Sequence, residues 1–171
     1  AVFMASRRDP GLRGMGSTLV AGCFRADGVL LVANVGDSRL YRLRGDDLEC
    51  LTHDHSVLRA QCDAGMIGSA SEGPVALRGL LTRAIGVEAD VVPDVTAFLL
   101  APNDHYLLCS DGLTDMVPEV DIAEVLVMLG GSPQVAAEHL VDLAIDRGGV
   151  DNVSVIVVSS CTSVRLGTEL G

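Results

Sequence analysis

Apolar runs broken by short polar turns dominate the first third of the chain. Residues 18–24, Thr-Leu-Val-Ala-Gly-Cys-Phe, make the first run, and Ala26-Asp27-Gly28 after it carries the chemistry of a hairpin turn. Residues 29–35 are apolar at every position but one, as in a strand covered on both faces. Gly36-Asp37-Ser38 then leads into residues 39–44, whose alternation marks a half-buried strand, and Gly45-Asp46-Asp47 leads into residues 48–51. The pattern predicts a four-strand antiparallel meander with short turns.

The rhythm then changes. Thr52-His53-Asp54-His55-Ser56 caps a helix over residues 57–64, stopped by Gly65. Residues 65–79 are rich in Gly, Ser and Ala and read as a mobile surface flap. Residues 91–100 form a strand interrupted by Pro93, and Tyr106-Leu107-Leu108-Cys109 is a short buried strand that runs into the turn Ser110-Asp111-Gly112. Pro118 opens a helix over residues 119–129, and a second follows over 133–147. Its apolar stripe holds Val135, Ala136, Leu140, Leu143 and Ala144, with His139 on or beside it as a core or boundary histidine. Asp151-Asn152 leads into a last strand at residues 153–158, residues 1–5 read as the end of a helix, and residues 159–171 read as a loose tail. This order of elements favours one α+β domain, at residues 1–158, with layered antiparallel sheets.

Composition narrows the picture. Nearly half of the 171 residues are apolar (49%), enough for a core. No apolar run is long enough to span a bilayer as a helix, and the first residues lack a secretory leader pattern. The net charge is −11 and all 12 basic side chains are Arg, which argues against a nucleic-acid partner. The five cysteines, Cys23, Cys50, Cys62, Cys109 and Cys161, are scattered, and the expectation is buried reduced thiols in a cytoplasmic protein.

Candidate chemistry lies in the acidic turns. Asp37, Asp111, Asp115 and Asp151 each stand close to a strand end, beside Gly or Asn or one turn beyond. If the sheets bring those ends together, four carboxylates share one rim, and their repulsion calls for cations. Mg²⁺ or Mn²⁺ suits such oxygen donors. A pair of such ions about 3.5–4 Å apart can clamp a phosphoryl group and activate water near neutral pH, with no Ser, Cys or His nucleophile.

Six segments in order resemble the metal-dependent protein phosphatases, the PPM or type 2C family, in their bacterial form. They are Gly16-Ser17-Thr18-Leu19-Val20, Ala33-Asn34-Val35-Gly36-Asp37-Ser38-Arg39, Leu51-Thr52-His53-Asp54-His55-Ser56, Leu81-Thr82-Arg83-Ala84-Ile85-Gly86, residues 107–115 around Ser110-Asp111-Gly112, and Gly149-Val150-Asp151-Asn152-Val153-Ser154-Val155. The resemblance covers residues 16–158. It implies two antiparallel sheets flanked by helices and attack of an ion-activated water on phosphoserine or phosphothreonine. It also implies two Mn²⁺ or Mg²⁺ ions, with a third at a weaker site. Asp111 and Asp151 match core metal ligands, and Asp37 and Asp115 match residues around the third ion. Asn152 orients its neighbour, Gly112 lets the backbone come close, Ser38 and Arg39 hold the turn, and residues 65–74 match the flap near substrate. A phosphoprotein is the implied substrate, with a serine/threonine kinase or its targets as the partner class.

The family pattern also carries an earlier Asn-Glu-Asp segment and an Asp-Gly-Met-Gly-Gly turn whose Asp bridges both ions. Neither is in this sequence: Gly14-Met15-Gly16 follows Arg13, so the family domain is expected to be N-terminally truncated here. A pseudophosphatase that binds a phosphoprotein without turnover is therefore the rival reading. Gly36-Asp37-Ser38 also resembles the Gly-Asp-Ser-Leu esterases, which need an Asp three residues before a His. The positions three before His53, His55, His105 and His139 are Cys50, Thr52, Pro102 and Ala136. Phosphatases with an Asp nucleophile fail too, because Cys109 takes the nucleophile's place. His53 and His55 are expected to make local hydrogen bonds at a helix start rather than a transition-metal site.

Overall fold

The computed structural model describes residues 1–69 and 73–160. Among the described residues, seven strands form two antiparallel sheets. The first holds β1 (Leu19–Phe24), β2 (Val29–Val35) and β5 (Asp94–Leu99) in the order β1-β2-β5. The second holds β3 (Arg39–Arg44), β4 (Asp47–Cys50), β6 (His105–Cys109) and β7 (Val155–Ser159) in the order β4-β3-β6-β7. The helices are α1 (Val2–Arg8), α2 (Val57–Asp63), α3 (Asp111–Thr114), α4 (Glu119–Leu129) and α5 (Pro133–Asp146). No helix among the described residues is long and apolar enough to cross a membrane.

Two apolar layers result. Leu30, Val32, Leu40, Leu51 and Tyr106 pack between the sheets. Tyr41, Leu43, Leu107 and Cys109 face the other way and meet Leu113, Ile122, Leu126, Ala136, Leu140 and Ala144 of the helices. The second sheet is thus buried on both faces, which is why β6 reads as an unbroken apolar run. The first sheet uses one face only. Its other side aligns Leu19, Cys23, Leu31, Ala33, Val95 and Leu99, and Val95 and Leu99 are 62% and 74% exposed.

Several sequence expectations change. The four-strand meander is two hairpins in different sheets: Gly36-Asp37-Ser38 carries the chain from one sheet to the other instead of pairing β2 with β3. β3 is not half-buried, since Leu40 enters the layer between the sheets and Tyr41 and Leu43 the layer under the helices. Asp111 begins a helical turn rather than a loop. His139 is exposed, as is Val135, while Ala136, Leu140 and Ala144 make the buried stripe. Cys109 is buried and Cys62 partly so, but Cys23 and Cys50 are exposed, and Cys161 lies outside the described residues. Within the expected flap, residues 75–77 form a short 3-10 turn, and residues 70–72 lie outside the description. Of the expected tail, Ser159 completes β7 and Ser160 donates its backbone N–H to Asp104 at 2.9 Å; the remainder is not described.

Candidate metal centre

The sheet switch and the ends of β6 and β7 meet at one edge of the sandwich. Ser110 joins two of the acidic turns. Its backbone N–H donates to the Ser154 carbonyl at 3.1 Å, and its Oγ donates to the Asn152 carbonyl at 3.2 Å while accepting the Ser154 N–H at 3.0 Å. Gly112 lies so close to this strand entry that a Cβ would collide with the Asn152 carbonyl oxygen. Asp111 and Asp151 are thereby held on neighbouring turns. The Asn152 N–H donates to Asp151 Oδ1 at 2.7 Å. Asp111 stands first in α3, and its backbone carbonyl accepts the Asp115 N–H at 2.8 Å, setting the two carboxylates one turn apart.

Asp37 stands on the link between the two sheets. Gly36 before it has φ +102°, and a Cβ there would strike the Thr18 side chain. Thr18 and Ser38 share a hydroxyl hydrogen bond at 2.8 Å. Beneath the turn, Arg39 holds Asp54 through two nitrogens at 2.9 and 2.6 Å and donates to the Tyr41 hydroxyl, which donates in turn to Glu119. Arg39 is therefore satisfied by its own partners and ties the start of β3 to Asp54.

Electrostatics tie the four aspartates together. Burial and then the Asp111 charge push the Asp37 carboxyl up to about 6. Burial and Asp111 also raise Asp115, with a further push from Asp151, while Arg39 and Arg78 pull it down. Asp37 and Asp115 are thus both within the field of Asp111, and Asp115 within that of Asp151. Among the described residues no three His, Cys, Asp or Glu side chains already enclose an ion-sized space. The donor set still fits a hard divalent cation: every donor is a carboxylate, the charges repel without one, and Mg²⁺ and Mn²⁺ keep several water ligands.

The sequence did not reveal the pairing of His55 with Asp94 beside the Asp37 turn. His55 was expected to make local contacts; it reaches Asp94, 39 residues away. His53 does bond locally, to Arg59 and Asp63.

No family model matches the chain. It is 36% identical over 157 residues to the serine/threonine phosphatase stp of Listeria innocua, covering 92% of this chain and 62% of that protein. The PPM Ser-Thr phosphatase MsPP from Mycobacterium smegmatis, solved in complex with cacodylate, is 37% identical with a TM-score of 0.77 over 92% of this chain and 70% of that one. The catalytic domain of the serine threonine protein phosphatase PstP, solved with two manganese ions, is 35% identical with a TM-score of 0.77 over 93% of this chain and 64% of that one. The chain therefore spans less than two thirds of the length of the Listeria protein.

Proposed function

Because the chain belongs to the metal-dependent (PPM) family of protein serine/threonine phosphatases, we propose that its aspartate rim holds Mn²⁺ or Mg²⁺ and serves hydrolysis of phosphoserine and phosphothreonine on proteins. The observation that carries this reading is the gathering of the acidic turns at one edge, where Ser110 ties the Asp111 turn to the Asp151 turn and where burial, and then the Asp111 charge, raise Asp37 and Asp115. Asp111 and Asp151 would hold the two principal ions, and Asp37 and Asp115 a third. When bound, such ions supply charge stabilisation to the phosphoryl group and a water nucleophile near neutral pH. The protein's own work is positional. Ser110 and Gly112 keep the Asp111 and Asp151 turns adjacent, Asn152 aligns Asp151, and Arg39 fixes the turn that presents Asp37. The substrate would be a protein phosphorylated by a serine/threonine kinase. A cytoplasmic setting is proposed with it, supported by the exposed free thiols of Cys23 and Cys50.

The rival reading is a module that binds a phosphoprotein without rapid turnover. Manganese-dependent hydrolysis of a chromogenic phosphate ester separates the two. Activity lost with chelator and in Asp111→Ala supports the phosphatase. Retained Mn²⁺ binding without turnover supports the binding module. Hydrolysis that persists in chelator contradicts the metal mechanism.

A further inference from the structure

His55 is 5% exposed and belongs to no element of the core. Both of its ring nitrogens are used. Nδ1 accepts the Gly36 backbone N–H at 3.1 Å, so that nitrogen carries no hydrogen. The hydrogen then sits on Nε2, which donates to Asp94 Oδ2 at 3.0 Å. The other oxygen of Asp94 accepts from Arg83 Nη1 at 2.6 Å. The His55 backbone holds the same glycine from its other side, since its N–H donates to the Gly36 carbonyl at 2.8 Å. Its own carbonyl accepts the Thr82 N–H at 2.9 Å, just beyond the 65–79 segment. Gly36, the residue before Asp37, is therefore gripped by His55 at both its N–H, through the ring, and its C=O, through the backbone, and Asp94 on β5 selects the ring tautomer that makes the ring's half of the grip.

Resting on the metal-site reading above, we propose that His55, with its tautomer set by Asp94, is a positioning residue for the Asp37 carboxylate. It acts by fixing Gly36, the residue before Asp37, and links it to the segment carrying Thr82 and Arg83. A merely space-filling histidine would need neither a bare Nδ1 nor a carboxylate on Nε2. The alignment matters because a ligand's supporting hydrogen bonds commonly change metal affinity about 10–100-fold.

Asparagine and glutamine separate the two ring nitrogens, since an Asn side-chain oxygen falls near Nδ1 and a Gln amide near Nε2. The full chain is measured in three ways: Gly36 amide proton shift without metal, Mn²⁺ dissociation constant, and melting temperature. His55→Asn keeps the acceptor, so the Gly36 amide stays downfield and the Mn²⁺ constant stays within about threefold of wild type. His55→Gln loses the acceptor, so the amide moves upfield and the constant rises about 10-fold or more. Asp94→Asn, at a more exposed position, guards against loss of folding. There the imidazole ¹⁵N shifts should change from one tautomer to a mixture, with the melting temperature nearly unchanged. Equal Mn²⁺ binding by His55→Asn and His55→Gln, or affinity that merely follows melting temperature, overturns the proposal. If wild type binds no Mn²⁺, the metal reading fails on its own. The metal-free Gly36 shift and the ¹⁵N tautomer then decide whether His55 grips the turn.

Discussion

Both sheets contain apolar strands but live in different surroundings. The β4-β3-β6-β7 sheet is buried on both faces, against its partner sheet on one side and α4 and α5 on the other. The β1-β2-β5 sheet has one face in the core and the other open among the described residues. The rim divides in a related way. Asp111, Asp115 and Asp151 are delivered by the doubly covered sheet and braced by Ser110, whereas Asp37 stands on the link between the two sheets and is braced by His55 and the Arg39–Asp54 pair. Hence one half of the site inherits its rigidity from a core, and the other half from polar clamps.

The largest expected effect lies in the covered sheet. Leu140→Ala empties a fully buried position under β6 and β7 and should cost about 3 kcal/mol in chemical denaturation. Gly112→Ala comes next. Its methyl would have to push away the Asn152 backbone, separating the Asp111 and Asp151 turns, so Mn²⁺ affinity should fall about 10-fold along with roughly 2 kcal/mol of stability. Titration calorimetry and thermal melts read both.

A third prediction addresses the polar half and depends on pH. Asp37 titrates near 6 in the folded protein against an ordinary value of 3.8. Between those values the folded state keeps a proton that the unfolded state has lost, so Asp37 makes the metal-free protein more stable as pH falls from about 6 to about 4. Below that window the contribution is complete. The difference between wild-type and Asp37→Asn melting profiles in chelator should show this slope, and Mn²⁺, which binds the ionised carboxylate, should abolish or reverse it. The smallest effect belongs to the open face. Leu99→Ser should change stability by less than about 0.5 kcal/mol, because Leu99 is 74% exposed. A cost like that of Leu140→Ala would show that the face is covered after all.

Much of the rim was legible because its turns announce themselves: Ser-Asp-Gly after an apolar run and Asp-Asn before one mark strand ends whatever the fold. The two-sheet class was likewise readable from the family segments and the order of elements. The switch between sheets was not. Gly36-Asp37-Ser38 is as short as a hairpin turn, and only the contact of Gly36 with Thr18 and the grip of His55 reveal that the chain is redirected. The role of His55 was hidden for a related reason. Ser56 does cap α2, accepting the Arg59 N–H, so a helix-start reading of the His-Asp-His-Ser run was locally sufficient. Its distant partner, Asp94, stands in a strand that carries no acidic-turn signal. The exposed thiols followed from the same blind spot, since an apolar run does not say which of its faces will be covered.

The proposed function requires distant aspartates to gather round divalent ions. Crystals of the chain grown with Mn²⁺, measured at the manganese absorption edge, test it most directly. The account predicts anomalous density ligated by carboxylate oxygens of Asp111 and Asp151, weakened or lost in Asp111→Asn. Manganese bound elsewhere, or bound equally well in that variant, would contradict it.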